Sequence, residues 1–125
     1  VTAALLVAVF GGLGAALRFV VDGEVRRRWT GAFPLATVVV NVTGSLLIGL
    51  LVGAQLHLGL GPPWFTAVTT GLCGGYTTFS TASVETVRLV QAGEVRAAWA
   101  NALGSLVLCV AATAAGIALV TLAAR

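Results

Sequence analysis

The 125-residue sequence contains no lysine, and its net charge of +3 rests on seven arginines against four acids. Charged side chains make up 9% of the chain and hydrophobic ones 58%. So thin a cover of charge excludes an ordinary soluble domain, in which about a quarter of residues are charged. The arginines sit at the ends of apolar runs, which suits bilayer anchoring and not nucleic-acid binding. Histidine occurs once, at His57, and cysteine twice, at Cys73 and Cys109. Without CxxC or Cys/His spacing, neither a metal cluster nor a disulfide framework is indicated. Both cysteines read as small packing residues. There is no Ser/His/Asp set and no carboxylate pair, so the chain does not read as an enzyme. The first apolar run has no basic stretch before it and ends in Arg18, unlike a secretory signal. A start at Val1 instead of Met leads us to expect native residues ahead of it.

What remains is apolar length, and it falls into four segments. They run from about Ala3 to Val21, Leu35 to Ala54, Pro63 to Val87 and Ala97 to Ala123. Each has roughly the 20 residues that cross a ~30 Å hydrocarbon core. The expectation is one all-α integral membrane domain over residues 1–125. The third segment is the least hydrophobic, with Trp64 and Phe65 at its start as interface anchors. Pro34 suits the first turn of the second segment. Asp22, Glu24, Arg26, Arg27, Arg28 and Trp29 read as a loop touching headgroups. His57 reads as a solvent-exposed loop residue without companion ligands.

Small and polar residues punctuate the spans. Gly11-Gly12-Leu13-Gly14 follows no strand, so a dinucleotide site is not indicated; Gly12 and Ala16 suit close helix packing. Gly49 and Gly53 repeat that spacing. Asn41 lies in mid-span, where an amide must be hydrogen-bonded, and Ser45 shares its face. Asn101, Ser105, Cys109 and Thr113 are spaced by four, a polar stripe on the last segment. It reads as a lined path or as interhelical hydrogen bonding. Glu85, the only acid inside a segment, reaches either a polar path or headgroup water.

Gly71-Leu72-Cys73-Gly74-Gly75-Tyr76-Thr77-Thr78-Phe79-Ser80-Thr81 is the stretch around which the chain is organised. Glycines and hydroxyls at this depth suit a broken helix whose carbonyls and hydroxyls face an ion. They also suit a packing face. Amide and hydroxyl donors replace water around a small anion, and the edge of Phe79 is positively polarised. Carbonyls freed between Gly74 and Thr77 suit a cation.

This stretch, with Val40-Asn41-Val42-Thr43-Gly44-Ser45 and the Ala16-Leu17-Arg18-Phe19 end of the first segment, closely resembles the bacterial fluoride channels called Fluc or CrcB. The likeness covers essentially the whole chain. It implies a four-helix subunit with a broken third helix, assembled as an antiparallel dimer in the bacterial plasma membrane. It implies passive export of fluoride. It also implies a sodium ion at the dimer axis, held by the backbone carbonyls of Gly74 and Thr77. The implied fluoride pathway comprises Asn41, Phe79, Thr78, Ser80, Thr81, Glu85, Asn101 and Ser105, with Arg18 at the vestibule. The chain departs from the family pattern at Ala82, where a second phenylalanine is usual. It departs again at Asn101 in place of tyrosine and at Cys109 in place of serine.

On these segments Arg18, Arg26, Arg27, Arg28, Arg88 and Arg96 lie at one membrane face and Arg125 at the other. Such bias orients a chain firmly, with those loops cytoplasmic. A chain inserting both ways would be nearly balanced. The expectation is a homodimer or, given this bias, a heterodimer with an oppositely oriented homologue. Two other readings are a proton-coupled four-helix drug exporter and a non-transporting assembly subunit. The exporter requires a deep carboxylate, which the first segment lacks.

Overall fold

Long runs of Leu, Val and Ala without an internal proline propagate as helix, because each backbone N–H and C=O is then paired within its own segment. The structure, a computed structural model describing residues 1–125, follows that rule. Helix α1 is Thr2–Arg28, α2 is Leu35–Leu58 and α5 is Val95–Ala123. These three are long and apolar enough to cross a membrane. Between α2 and α5 lie α3, residues 62–76, and α4, Phe79–Gln91. The arrangement is all-helical, with α1 packed along α3, α2 along α5, and α4 against the first turns of α5.

The helices outrun the apolar segments. Helix α1 continues to Arg28, so Asp22, Glu24 and the three arginines form its last turns and not a loop. Hydropathy marks where lipid ends, not where helical hydrogen bonding ends. The extension carries its own support at spacings of three and four. Arg26 Nε lies 2.7 Å from Asp22, Arg28 2.6 Å from Glu24, and Arg27 2.7 Å from Glu24. Arginines in a last turn also offset the helix dipole. Helix α2 likewise reaches Leu58, so His57 sits on its last turn, 3.0 Å from Thr121 Oγ1 on α5. Gly59 closes α2 in the left-handed region at φ 64°. Pro34 is the residue before the first turn of α2.

Two close crossings hold the helices together. A Cβ on Gly75 of α3 would strike the backbone of Gly11 on α1, and one on Gly14 would strike Leu72 O. A Cβ on Gly49 of α2 would strike the Thr113 backbone of α5, and Gly116 faces Leu46 and Leu50 in the same way. Backbones meet at these points, which is how membrane helices associate without a hydrophobic driving force. Gly11 and Gly14, not Gly12 and Ala16, make the α1 contact: Gly12 has no neighbour within 4 Å of a built Cβ.

Candidate functional site

The helical path between α3 and α4 is interrupted at two threonines. Thr77 (φ −79°, ψ 160°) and Thr78 (φ −148°, ψ 118°) are extended. The glycines of the same stretch stay helical: Gly71 lies in a π-type turn spanning Ala67–Cys73, and Gly74–Tyr76 is a helical turn. Their part is close approach to α1, as described above for Gly75.

Helix α2 reaches the interruption through three positions of one motif, Asn41, Thr43 and Gly44. Gly44 lets it in, since a Cβ there would strike the Thr77 methyl and lie 3.1 Å from the Tyr76 ring. Thr43 Oγ1 lies 2.8 Å from the Tyr76 hydroxyl. One turn earlier, Asn41 Nδ2 donates to Thr78 O at 2.8 Å, and Thr78 N–H donates to Asn41 Oδ1 at 2.7 Å. One amide therefore satisfies both backbone groups of Thr78. Thr78 Oγ1 in turn accepts the Thr81 N–H at 3.2 Å and starts α4 as its N-cap. Arg18 of α1 donates to Thr77 O at 3.3 Å.

A groove of about 570 Å³ opens beside this point. Its lining includes Asn41, Ser45, Thr77, Thr78, Phe79, Ala82, Ser83, Thr86, Asn101, Ser105 and Cys109. None of its 14 lining residues is charged. Asn101 is 1% exposed and lies in a π-type turn at Ala100–Gly104. Its Nδ2 donates to Thr86 Oγ1 at 2.8 Å, while its Oδ1 is buried without a partner. Phe79 is 88% exposed at the rim. Of the stripe on the last segment, Asn101, Ser105 and Cys109 reach the groove, whereas Thr113 donates to Ser45 O at 3.1 Å.

Ser80, Thr81 and Glu85 do not join this groove. With Arg26, Val84 and Arg88 they line a second hollow of about 390 Å³. Glu85 is 13% exposed in its side chain and pairs with Arg26 at 2.9 Å. It meets a guanidinium, and its second oxygen is buried without a partner. A third hollow of about 350 Å³, lined by Arg18, Asp22, Arg26, Thr37, Thr78 and Thr81 among others, adjoins the second at Arg26 and Thr81. Thr78 alone lines both this hollow and the uncharged groove. The expected pathway residues thus fall into two sets on either side of Thr78. Arg18 lies at the interruption, where it lines the third hollow.

Thr86, Ser83 and Arg26 were missed by reasoning from sequence. The hydroxyls at 83 and 86 carry a signal, since each lies four residues after Phe79 or Ala82 and bonds back to that carbonyl. Arg26 carries none, because its contact with Glu85 spans 59 positions. No group of three or more His, Cys, Asp or Glu comes together.

Three membrane-crossing helices, an interrupted fourth run and an uncharged polar groove define a small multi-pass helical membrane protein. Comparison narrows this. The family described as "CrcB-like protein, Camphor Resistance (CrcB)" matches residues 5–117. The chain is 48% identical over 113 residues to fluoride-specific ion channel FluC 1 of Leifsonia xyli, covering 90% of this chain and 82% of that one. It is 44% identical over 116 residues to FluC 2 of Cutibacterium acnes, covering 92% and 94%. It is 43% identical over 117 residues to FluC of Geobacter sulfurreducens, covering 93% and 94%. The chain belongs to the CrcB family and is a multi-pass bacterial membrane protein.

Proposed function

We propose that the chain is a subunit of a fluoride-selective channel through which cytoplasmic fluoride leaves passively. The groove carries this reading: amides and hydroxyls from α2, α4 and α5 line it, and no acid does. Such donors replace the water shell of a small anion in a narrow path. The rim position of Phe79 offers a ring edge to the same ion. The names of the relatives point the same way. Protein purified together with any polypeptide that accompanies it is expected to give fast efflux from fluoride-loaded liposomes without a coupled proton. Efflux no faster than from protein-free liposomes would end the proposal. A drug exporter is disfavoured because Glu85 is already paired with Arg26 and lies outside the groove.

A sodium ion belongs to the same proposal, held by the carbonyls of Gly74 and Thr77. The donors fit, since hard cations take oxygen ligands and Gly74 is exposed. When bound, the ion would balance the carbonyl dipoles. Two carbonyls are too few for one ion, and water or a second chain would supply the rest. Exposed Phe79 and Gly74 suit a face that an antiparallel partner covers. Arginine bias favours a homologue as that partner. Arg26, Arg27, Arg28, Arg88 and Arg96 share one end of the molecule, as the Arg26–Glu85 pair requires, against Arg125 at the other. A related polypeptide is expected to co-purify with this one. Fluoride flux from the chain expressed alone would refute an obligate heterodimer.

A further inference from the structure

In a continuous helix each N–H returns to the carbonyl four residues earlier. The Thr78 N–H would then serve Gly74 O, and the Thr81 N–H would serve Thr77 O. Neither does so here. The Thr78 N–H goes to Asn41 Oδ1 at 2.7 Å, and the Thr81 N–H goes to Thr78 Oγ1 at 3.2 Å. The two carbonyls that lose their helical partners are the two assigned above to a cation.

We propose that Asn41 and Thr78 are positioning residues for the cation site: each takes the N–H that would otherwise close a helical turn onto one of its carbonyls. The inference rests on the reading that a cation sits at Gly74 and Thr77. Asn41 is suited to the task because its amide is fixed at both ends. Nδ2 donates to Thr78 O while Oδ1 accepts the Thr78 N–H. Reversing the amide would set donor against donor and acceptor against acceptor. Thr78 Oγ1 is oriented as an acceptor because its own proton goes to Thr81 Oγ1 at 3.0 Å. Arg18 occupies one lone pair of Thr77 O and leaves the other. An unpaired backbone carbonyl is unfavourable unless something else pairs it. The side chains therefore leave Gly74 O without its helical partner and Thr77 O with one lone pair free, both open to a cation.

Removing either side chain returns an N–H to its helical carbonyl and withdraws a ligand. The test follows the unfolding temperature of the purified protein in detergent, in choline chloride titrated with sodium chloride. The wild-type chain is expected to gain stability as sodium replaces choline. Asn41→Val and Thr78→Val are expected to need about 10- to 100-fold more sodium for the same gain, the usual penalty for losing a group that orients a metal ligand. Thr78→Ser keeps the hydroxyl and is expected to respond as wild type does. So is Thr69→Val, whose hydroxyl bonds only Phe65 O within α3. If Asn41→Val does not fold, the Val and Ser variants at 78 decide the matter between them. Wild-type sodium dependence in Asn41→Val and Thr78→Val would overturn the positioning role and leave the cation itself standing. No sodium dependence in the wild-type chain would overturn both.

Discussion

Asn41 and Asn101 are both amides within apolar segments, and their surroundings give them opposite tasks. Asn41 is matched donor to acceptor with Thr78. An aspartate there keeps the acceptor and loses the donor, setting a carboxylate against Thr78 O. Leaving a buried acceptor unpaired costs about 1–3 kcal/mol. Asn41→Asp is therefore expected to suppress fluoride efflux from liposomes, and unchanged efflux would remove Asn41 from both the path and its support. Asn101 is matched on one side only, with Oδ1 buried and unpartnered beside the groove. Asn101→Leu deletes that orphan along with the bond to Thr86 Oγ1 and a longer one to Ala82 O at 3.4 Å. The two effects nearly offset, so unfolding in detergent should shift by less than about 1 kcal/mol. Efflux should fall, because an apolar side chain dries a narrow path. That Asn41 must be hydrogen-bonded was legible in the sequence, since an amide in hydrocarbon requires a partner. Its partner was not, because Thr78 lies 37 positions away and is reached only once Gly44 admits Tyr76 and Thr77.

Among the helices, the interruption and the crossings separate what glycine does from what threonine does. Reading the glycine-rich stretch as the place where the third run departs from plain helix drew on composition alone. The unpaired geometry falls on Thr77 and Thr78, while Gly71 and Gly75 admit α1. Gly75→Ala and Gly14→Ala are each expected to destabilise the fold by about 1–3 kcal/mol, since backbone opposes the new methyl and cannot yield. Gly12→Ala serves as contrast: nothing lies within 4 Å, and removing a helical glycine should stabilise by up to about 1 kcal/mol. Equal effects at positions 12 and 14, measured by thermal unfolding in detergent, would mean that α1 meets α3 elsewhere. Helix ends were the least legible feature. Residues 22–28 are polar enough to resemble a loop, yet their charges pair along the helix and prolong it.

For the molecule as a whole, orientation follows from where the arginines collect. The end bearing Arg26, Arg27, Arg28, Arg88 and Arg96 should face the cytoplasm. A cysteine introduced by Ala92→Cys, between α4 and α5, is expected to react with an impermeant thiol reagent only from inside the cell. Labelling from both sides in equal measure would mean that the chain inserts both ways, and the case for a distinct partner would weaken. The overhang at this end has its own cause. Helix α1 has 27 residues, about 40 Å at 1.5 Å each, against a ~30 Å core. Its surplus turns bring Arg26 onto Glu85.

Thr78 is the one residue common to the uncharged groove and to a hollow that Arg18, Asp22 and Arg26 line. A bulkier side chain at 78 would narrow both linings at once, whereas one at Ser105 or at Asp22 would narrow a single hollow.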